Sequence, residues 1–419
     1  MFNRMILNRI RPAVDELLRC NQNGFREGRS TVAHILALRR LIEGIKGHNL
    51  HAIINYIDFR KAFDTIHRNK MLRILKAYGI PERIVSAIGS LYEGTKAKVT
   101  TPDGDTRPFD IQAGVLQGDT LAPYLFVIAL DYTLRAAIEG REEELGFQLV
   151  RRKSRRIGPK TVTDLDFADD IALISEQVKQ AQELLGNVES SVARVGLQMN
   201  AGKTKFMAYN QPVPVCLRTQ EGTALEKVED FRYLGSHMES TSKDINSRKA
   251  AAWRACNKLE KIWKSNLPRK LKIRLFLSTV ESVLLYGCEA WTITPKLETQ
   301  LDGCYTRMLR RVHNITWEQH RTNKELYAGL PKVSDKIRAR RLRFAGHCLR
   351  NNREIVSDLV LWTPAHGKRR QGRPPLTYID VLKRDTGIQT DGMGKDMQDR
   401  SFWAATVVRV TDEGDWHPT

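Results

Sequence analysis

Hydrophobic spacing divides the chain into a front half that alternates strands with helices and a back half that reads as almost wholly helical. Residues 1–20 set Met5, Ile6, Ile10 and Leu17 between basic positions, the spacing of an amphipathic helix. The polar stretch NQNGFREGRST (21–31) reads as a loop, and an apolar helix follows from about Val32 to Ile45. HAIINYIDF (51–59) is rich in β-formers, as a buried strand is. The next helix runs to about Tyr78, with Gly79 as the residue just past its end and Pro81 opening the helix after it. Residues 96–111 predict a hairpin that turns at Pro102-Asp103-Gly104. GVLQGDTLAP (114–123) is a glycine-containing loop leading into a helix that ends near Gly140. TDLDFADDIALIS (163–175) has two β-rich arms around a polar centre, a hairpin with FADD at its bend. A helix ending at Gly196 precedes LQMNAGKTKFMAY (197–209), read as a second strand pair, and FRYLGS (231–236) belongs to another short hairpin.

After Glu239 the pattern turns helical and strongly basic. Residues 244–264 predict one amphipathic helix with Trp253, Leu259, Ile262 and Trp263 near one face. LYGCEAWTIT (285–294) reads as buried helix, with Trp291 in packing. Thr322 and Glu325 form a capping-box pattern with Gly329 as the stop, and Ser334 is a cap for the arginine-rich helix 336–350. The expected division is 1–238, 239–315 and 316–419.

Composition narrows the class. Among 419 residues, 41% are hydrophobic, and 68 Lys and Arg against 48 Asp and Glu leave a net charge of +20. Such a field attracts polyanions, nucleic acid foremost. Leu121 to Leu130, the most apolar stretch, is about half of a bilayer span, so no membrane partner is expected. Arginines are interleaved with the apolar residues of the N-terminus, unlike a secretory signal. The six cysteines form no C-x-x-C pair and read as reduced thiols of an intracellular protein, nuclear or cytoplasmic. The basic segment RRKSRRIGPK (151–160) reads as a solvated hairpin tip, with nuclear import or phosphate contact as the alternatives, and KRRQGRPP (368–375) as a charged, proline-bearing linker or tail element.

Nucleotidyl transfer needs charge neutralisation above all, and divalent cations held by carboxylates supply it. Asp58 ends the apolar strand HAIINYIDF, and Asp169-Asp170 sit at the bend of LDFADDIAL. A single Asp after a strand is commonly a helix cap, and Asp-Asp is a common turn pair. Adjacent carboxylates between apolar arms nonetheless repel and call for a cation or strong donors.

In chain order, QNGFREGRST (22–31), YIDFRKAFDTI (56–66), AGVLQGDTLAPYLF (113–126), FADDIAL (167–173), GLQMNAGKTKF (196–206) and FRYLGS (231–236) resemble the motifs of reverse transcriptases of non-LTR, LINE-like retrotransposons. The resemblance covers about the first 240 residues and implies an α+β right-hand polymerase: partial fingers and a palm of antiparallel sheet with packed helices, then a helical thumb and a basic helical C-terminal region. It implies RNA-templated DNA synthesis on template RNA and a DNA primer from deoxynucleoside triphosphates, with two Mg2+ ions or Mn2+ in their place. Asp58, Asp169 and Asp170 fall on the catalytic metal-binding aspartates, with the Phe59 carbonyl as a backbone ligand. Phe63 matches the steric gate against a 2′-hydroxyl, and Asp64 reads as structural. Gln117 and Gly118 match the nucleotide pocket, Lys203 the general acid for pyrophosphate, and Phe231 and Tyr233 the primer grip. Arg26 and Arg29 match a template-contacting segment.

The family's earlier finger segments are missing ahead of QNGFREGRST, which suggests a shortened chain. The alternative is therefore a catalytically inactive, nucleic-acid-binding relative. Arg338, Arg340, Arg341 and Arg343 are expected to contact nucleic-acid backbone or to form a solvated charged face. The oligomeric state is left open.

Overall fold

The computed structural model describes residues 1–152, 154, 158–369 and 371–411, so the two basic segments 151–160 and 368–375 lie partly outside the described residues. The chain forms two compact units. One comprises residues 1–34, 48–234 and 364–369; the other comprises 35–47, 235–363 and the residues beyond.

The first unit begins with α1 (Phe2–Leu17) and the start of α2 (Thr31–Gly47), whose residues from 35 onward belong to the second unit. Its centre is a sheet of β1 (Ala52–Ile57), β2 (Asp164–Phe167), β3 (Asp170–Ser175), β4 (Lys205–Tyr209) and β5 (Glu226–Lys227), in the order β5-β4-β1-β3-β2. β1 is antiparallel to both β4 and β3, and because it is central all six of its residues, Asn55 included, are buried. Strand alternation puts Ile53, Ile57, Ile171 and Leu173 on one face, in a single cluster with residues of two helices. These are Leu125, Phe126 and Ala129 of α3 (Ala122–Ile138) and Leu184, Leu185 and Val188 of α4 (Val178–Ala193). Each such side chain contributes about 1.5–3 kcal/mol by leaving water, so this face fixes the strand register. Asp58 and Asp170 project from the opposite face.

Three local expectations change. Pro81 is the N-cap of helix Glu82–Tyr92, one position before its first turn. Residues 197–209 yield only β4, because the Thr204 amide turns back onto the Asn200 carbonyl at 2.8 Å and delivers the strand to β1. The 96–111 hairpin is two short ladders, with Pro102 and Asp103 as the loop between paired Thr101 and Gly104.

In the second unit, one apolar cluster runs from Ile245 to Val381, with no break in it at 315. The predicted helix 244–264 is split into α5 (Thr241–Lys258) and a separate turn, Glu260–Trp263. The split lets the Trp263 indole donate to the Cys256 carbonyl at 2.8 Å. Residues 285–294 are buried as expected but not helical: left-handed Gly287 leads into a 3-10 turn at Cys288–Ala290. Trp291 packs fully buried and donates its indole N–H to Asp244 at 2.8 Å. The Thr322–Glu325 capping box forms, with Ala328 taking the left-handed position just before Gly329. Ser334 lies inside α6 (Val333–Arg350) instead of capping it, since its amide and hydroxyl bind Asp302. Among the described residues no helix is long and apolar enough to cross a membrane.

Candidate active site

β1 and β3 pair Ile57 with Ile171, so one further step sets Asp58 opposite Asp170. The backbone of Asp58 is held on both sides. Its N–H donates to the buried Thr204 hydroxyl at 3.2 Å, and its carbonyl accepts from Asn200 at 2.8 Å. Phe59 bridges to Met199. β2 and β3 join through a two-residue turn, Ala168-Asp169, between paired Phe167 and Asp170. The left-handed φ of +54° falls on Ala168, the position where such hairpin turns favour glycine.

Charge at this bend is under-compensated. Burial raises the pKa of Asp170 to about 6, reinforced by Asp169 and then Asp58, although Asp170 keeps more than a third of its surface open. Burial also raises Asp169. Asp58 Oδ2 is buried without a hydrogen-bond partner; the nearest cation is Lys203 Nζ at 3.8 Å. These acceptor-only oxygens suit a hard divalent cation. No three carboxylate, imidazole or thiol groups among the described residues converge into a ready-made metal cage, as expected of like charges that no cation draws together.

The residues expected at the nucleotide come together with one another, the 62–66 segment against 114–118. Left-handed Lys61 starts the short helix Ala62–Thr65, and the Phe63 carbonyl accepts from Val115 at 2.7 Å. Gly114 donates to Ile66 at 2.8 Å. A Cβ on Gly114 would stand 2.6 Å from the Asp64 backbone, so only glycine lets the loop lie this close. The Asp64 carboxylate accepts from the Gln117 amide at 2.9 Å, which gives the structural reading of Asp64 a definite partner. Gly118 is needed for its φ of +89°, not for space, since nothing lies within 4 Å of its added Cβ. Phe63 stacks on Phe126 at 4.4 Å and meets the exposed, left-handed Phe25 edge-on at 6.3 Å. Phe25 was not singled out from sequence; aromatic character in a polar loop was its only signal.

Phe231 stacks on Tyr56 at 4.1 Å, on the carboxylate face of β1. Tyr233 is buried, and its hydroxyl donates to the Leu165 carbonyl at 2.9 Å, so it supports β2. Arg29 reaches Asn23 at 3.3 Å. Two arginines depart from expectation. Arg26 is buried, bound to Asp15 at 2.7 Å and to the carbonyls of Arg19 and Gln22, so its guanidinium is already committed within the protein. Arg341 is wholly buried against Asp385. Arg338 is half-buried beside Asp335, leaving Arg340 and Arg343 as the exposed members of that set.

Sequence reasoning missed a second carboxylate group behind the turn. Asp164 and Asp166, two apart on β2, lie wholly buried with Asp131 around Arg19, at 2.8, 2.6 and 3.2 Å. Burial opposes the charge of Asp164, but Arg19 holds its carboxyl below the usual range. Burial and then Asp164 push Asp166 well above it. The available signal was TDLDF, two acids on one face of an apolar strand.

Residues 1–238 match the reverse transcriptase (RNA-dependent DNA polymerase) family, and the chain belongs to it. The relatives it matches include transposon-derived and retrotransposon proteins. A transposon-derived protein of Caenorhabditis elegans is 30% identical over 61% of this chain and 99% of its own length. The Pol polyprotein of the type-1 retrotransposable element R2 of Popillia japonica is 26% identical over 81% of this chain and 49% of its own. The RNA-directed DNA polymerase from transposon BS of Drosophila melanogaster is 22% identical over 89% and 41%. The chain thus spans about half or less of these two longer relatives.

Proposed function

We propose that this chain carries out RNA-templated DNA synthesis in the replication of a non-LTR retrotransposon, inside the cell. The observation that carries this reading is the register that sets Asp58 opposite Asp170, beside Asp169, in a patch of carboxylates whose nearest cation is Lys203, 3.8 Å from Asp58. Two Mg2+ ions, or Mn2+, bound there would supply activation of the primer 3′-hydroxyl and neutralisation of the triphosphate. Asp58, Asp169, Asp170 and the Phe59 carbonyl would hold them. Lys203, 3.8 Å from Asp58, would give a proton to departing pyrophosphate. Phe63, stacked on Phe126, would close the space under the sugar, and Gln117, hydrogen-bonded to Asp64, and Gly118 would border the base. Phe231 would meet the primer from the carboxylate face, with Tyr233 supporting it. Arg29, hydrogen-bonded to Asn23, would contact template RNA. Arg340, Arg343 and, less openly, Arg338 offer charge to a nucleic-acid backbone, in keeping with the net charge of +20.

The absence of a three-ligand cage among the described residues favours a second reading, a nucleic-acid binder without catalysis. Primer extension on an RNA template decides between them. The chain should add deoxynucleotides, and Asp169→Asn should lower the rate by about a thousandfold or more while template binding holds. A wild-type chain that binds template but never extends primer would establish the second reading.

A further inference from the structure

The segment 19–24 grips the catalytic bend from behind. Arg19 ties two strand positions to a helix: Asp164 and Asp166 lie on β2, and Asp131 lies on α3, where it also accepts from the Tyr78 hydroxyl at 2.6 Å and Arg135 at 3.1 Å. Beyond it, residues 21–23 run alongside β2 as a backbone bridge. The Asp166 amide donates to Asn21 at 3.0 Å, and the Asn23 amide donates to Asp166 at 2.8 Å. Gln22 then reaches into the turn itself. It is wholly buried, and its Oε1 accepts from the Ala168 amide at 2.9 Å and from Gly24 at 2.7 Å. A Cβ on Gly24 would fall 2.2 Å from the Ala168 nitrogen, so the NG pair lets the segment press directly on the turn.

Ala168 holds a left-handed φ that alanine adopts at a cost, and such strain persists only where the surroundings over-determine it. The Gln22 acceptor is that determinant. We propose that Arg19 and Gln22 are positioning residues of the catalytic turn, holding Ala168 and Asp169 so that Asp170 stays opposite Asp58 when a divalent cation binds. The catalytic part of this rests on the polymerase reading; the brace itself does not.

Gln22→Met keeps side-chain length and removes the acceptor. Hydrogen exchange on the whole chain reads the brace without requiring activity. In Gln22→Met, exchange across 164–172 should speed by about tenfold or more, with the helices of the second unit unchanged. Primer extension then reads the consequence. Gln22→Met should lower kcat and raise the Mg2+ concentration needed for half-maximal rate, leaving KM for the nucleotide unchanged; a merely structural loss would scale active enzyme without moving that midpoint. Arg19→Leu should show both effects more strongly, but it carries a folding risk that Gln22→Met avoids. Unchanged exchange at the turn in Gln22→Met would overturn the brace. Faster exchange with an unmoved Mg2+ midpoint would overturn the positioning role. If the wild type extends no primer, the polymerase reading fails while the exchange arm still decides the brace.

Discussion

One hairpin carries two pairs of aspartates that meet opposite fates. Asp164 and Asp166 are wholly buried, and a single guanidinium lies against both at 2.6–2.8 Å, which holds Asp164 below the usual range while burial and Asp164 push Asp166 above it. Asp169 and Asp170, three to six residues further on, have only each other and Asp58 for charged company strong enough to shift them. Burial alone does not explain the difference, because the more buried pair is the one supplied with a cation. The difference is the guanidinium: Arg19 lies within 2.8 Å of both inner carboxylates, whereas the nearest cation to the outer group is Lys203, 3.8 Å from Asp58.

The sharpest way to break this contrast is to remove each side's charge. Arg19→Met should cost about 3–5 kcal/mol in denaturant unfolding, since it strands buried carboxylates. Asp170→Asn should cost nothing and add less than about 1 kcal/mol at pH 8, allowing for its solvent screening. An Arg19→Met chain as stable as wild type would show that the inner network is already neutral.

Asp170 and Asp164 should also respond oppositely to pH. Asp170 has a folded pKa raised to about 6, so its contribution favours folding below the unfolded value and is lost as pH rises through 6. Asp164 has a depressed folded pKa, so its contribution is present above the unfolded value and is lost on acidification. Cation binding must release the Asp170 proton. Below pH 6, Mn2+ affinity should therefore fall by up to about tenfold per pH unit, and Asp170→Asn should flatten that slope. Isothermal titration at pH 5, 6 and 7 measures it, and a pH-independent affinity would remove Asp170 from the cation site.

Smaller effects test the periphery. Phe63→Val should raise ribonucleotide relative to deoxynucleotide incorporation by about tenfold, since only sterics under the sugar are relaxed. No change in that ratio would make Phe63 packing for Phe126 alone. Neutralising exposed Arg340 and Arg343 together should reduce the salt slope of RNA binding by about 1.4 to 1.8, near 0.7–0.9 per lost phosphate contact, without unfolding the chain. Arg341→Gln should instead destabilise it, because Asp385 is buried against that guanidinium.

What was legible in the sequence was whatever depends on local spacing and residue type. Alternation and turn chemistry gave β1, the FADD hairpin and the Thr322 capping box. The ordered motifs around Asp58, Gln117 and Asp169 marked the candidate site before any of them could be seen to meet. Other features depend on partners far away in the chain. The break at Leu259 reflects where Trp263 finds an acceptor, and Ser334 is inside its helix because Asp302 binds it. Arg26 and Arg341 look like surface cations in sequence, since nothing nearby announces Asp15 or Asp385. The Arg19 network joins positions up to 147 residues apart, and neither propensity nor periodicity encodes such a pairing. The chain by itself determined which carboxylates stand at a bend. Tertiary packing decided which of them are left without a cation, because neutralisation depends on what the fold brings within about 3 Å.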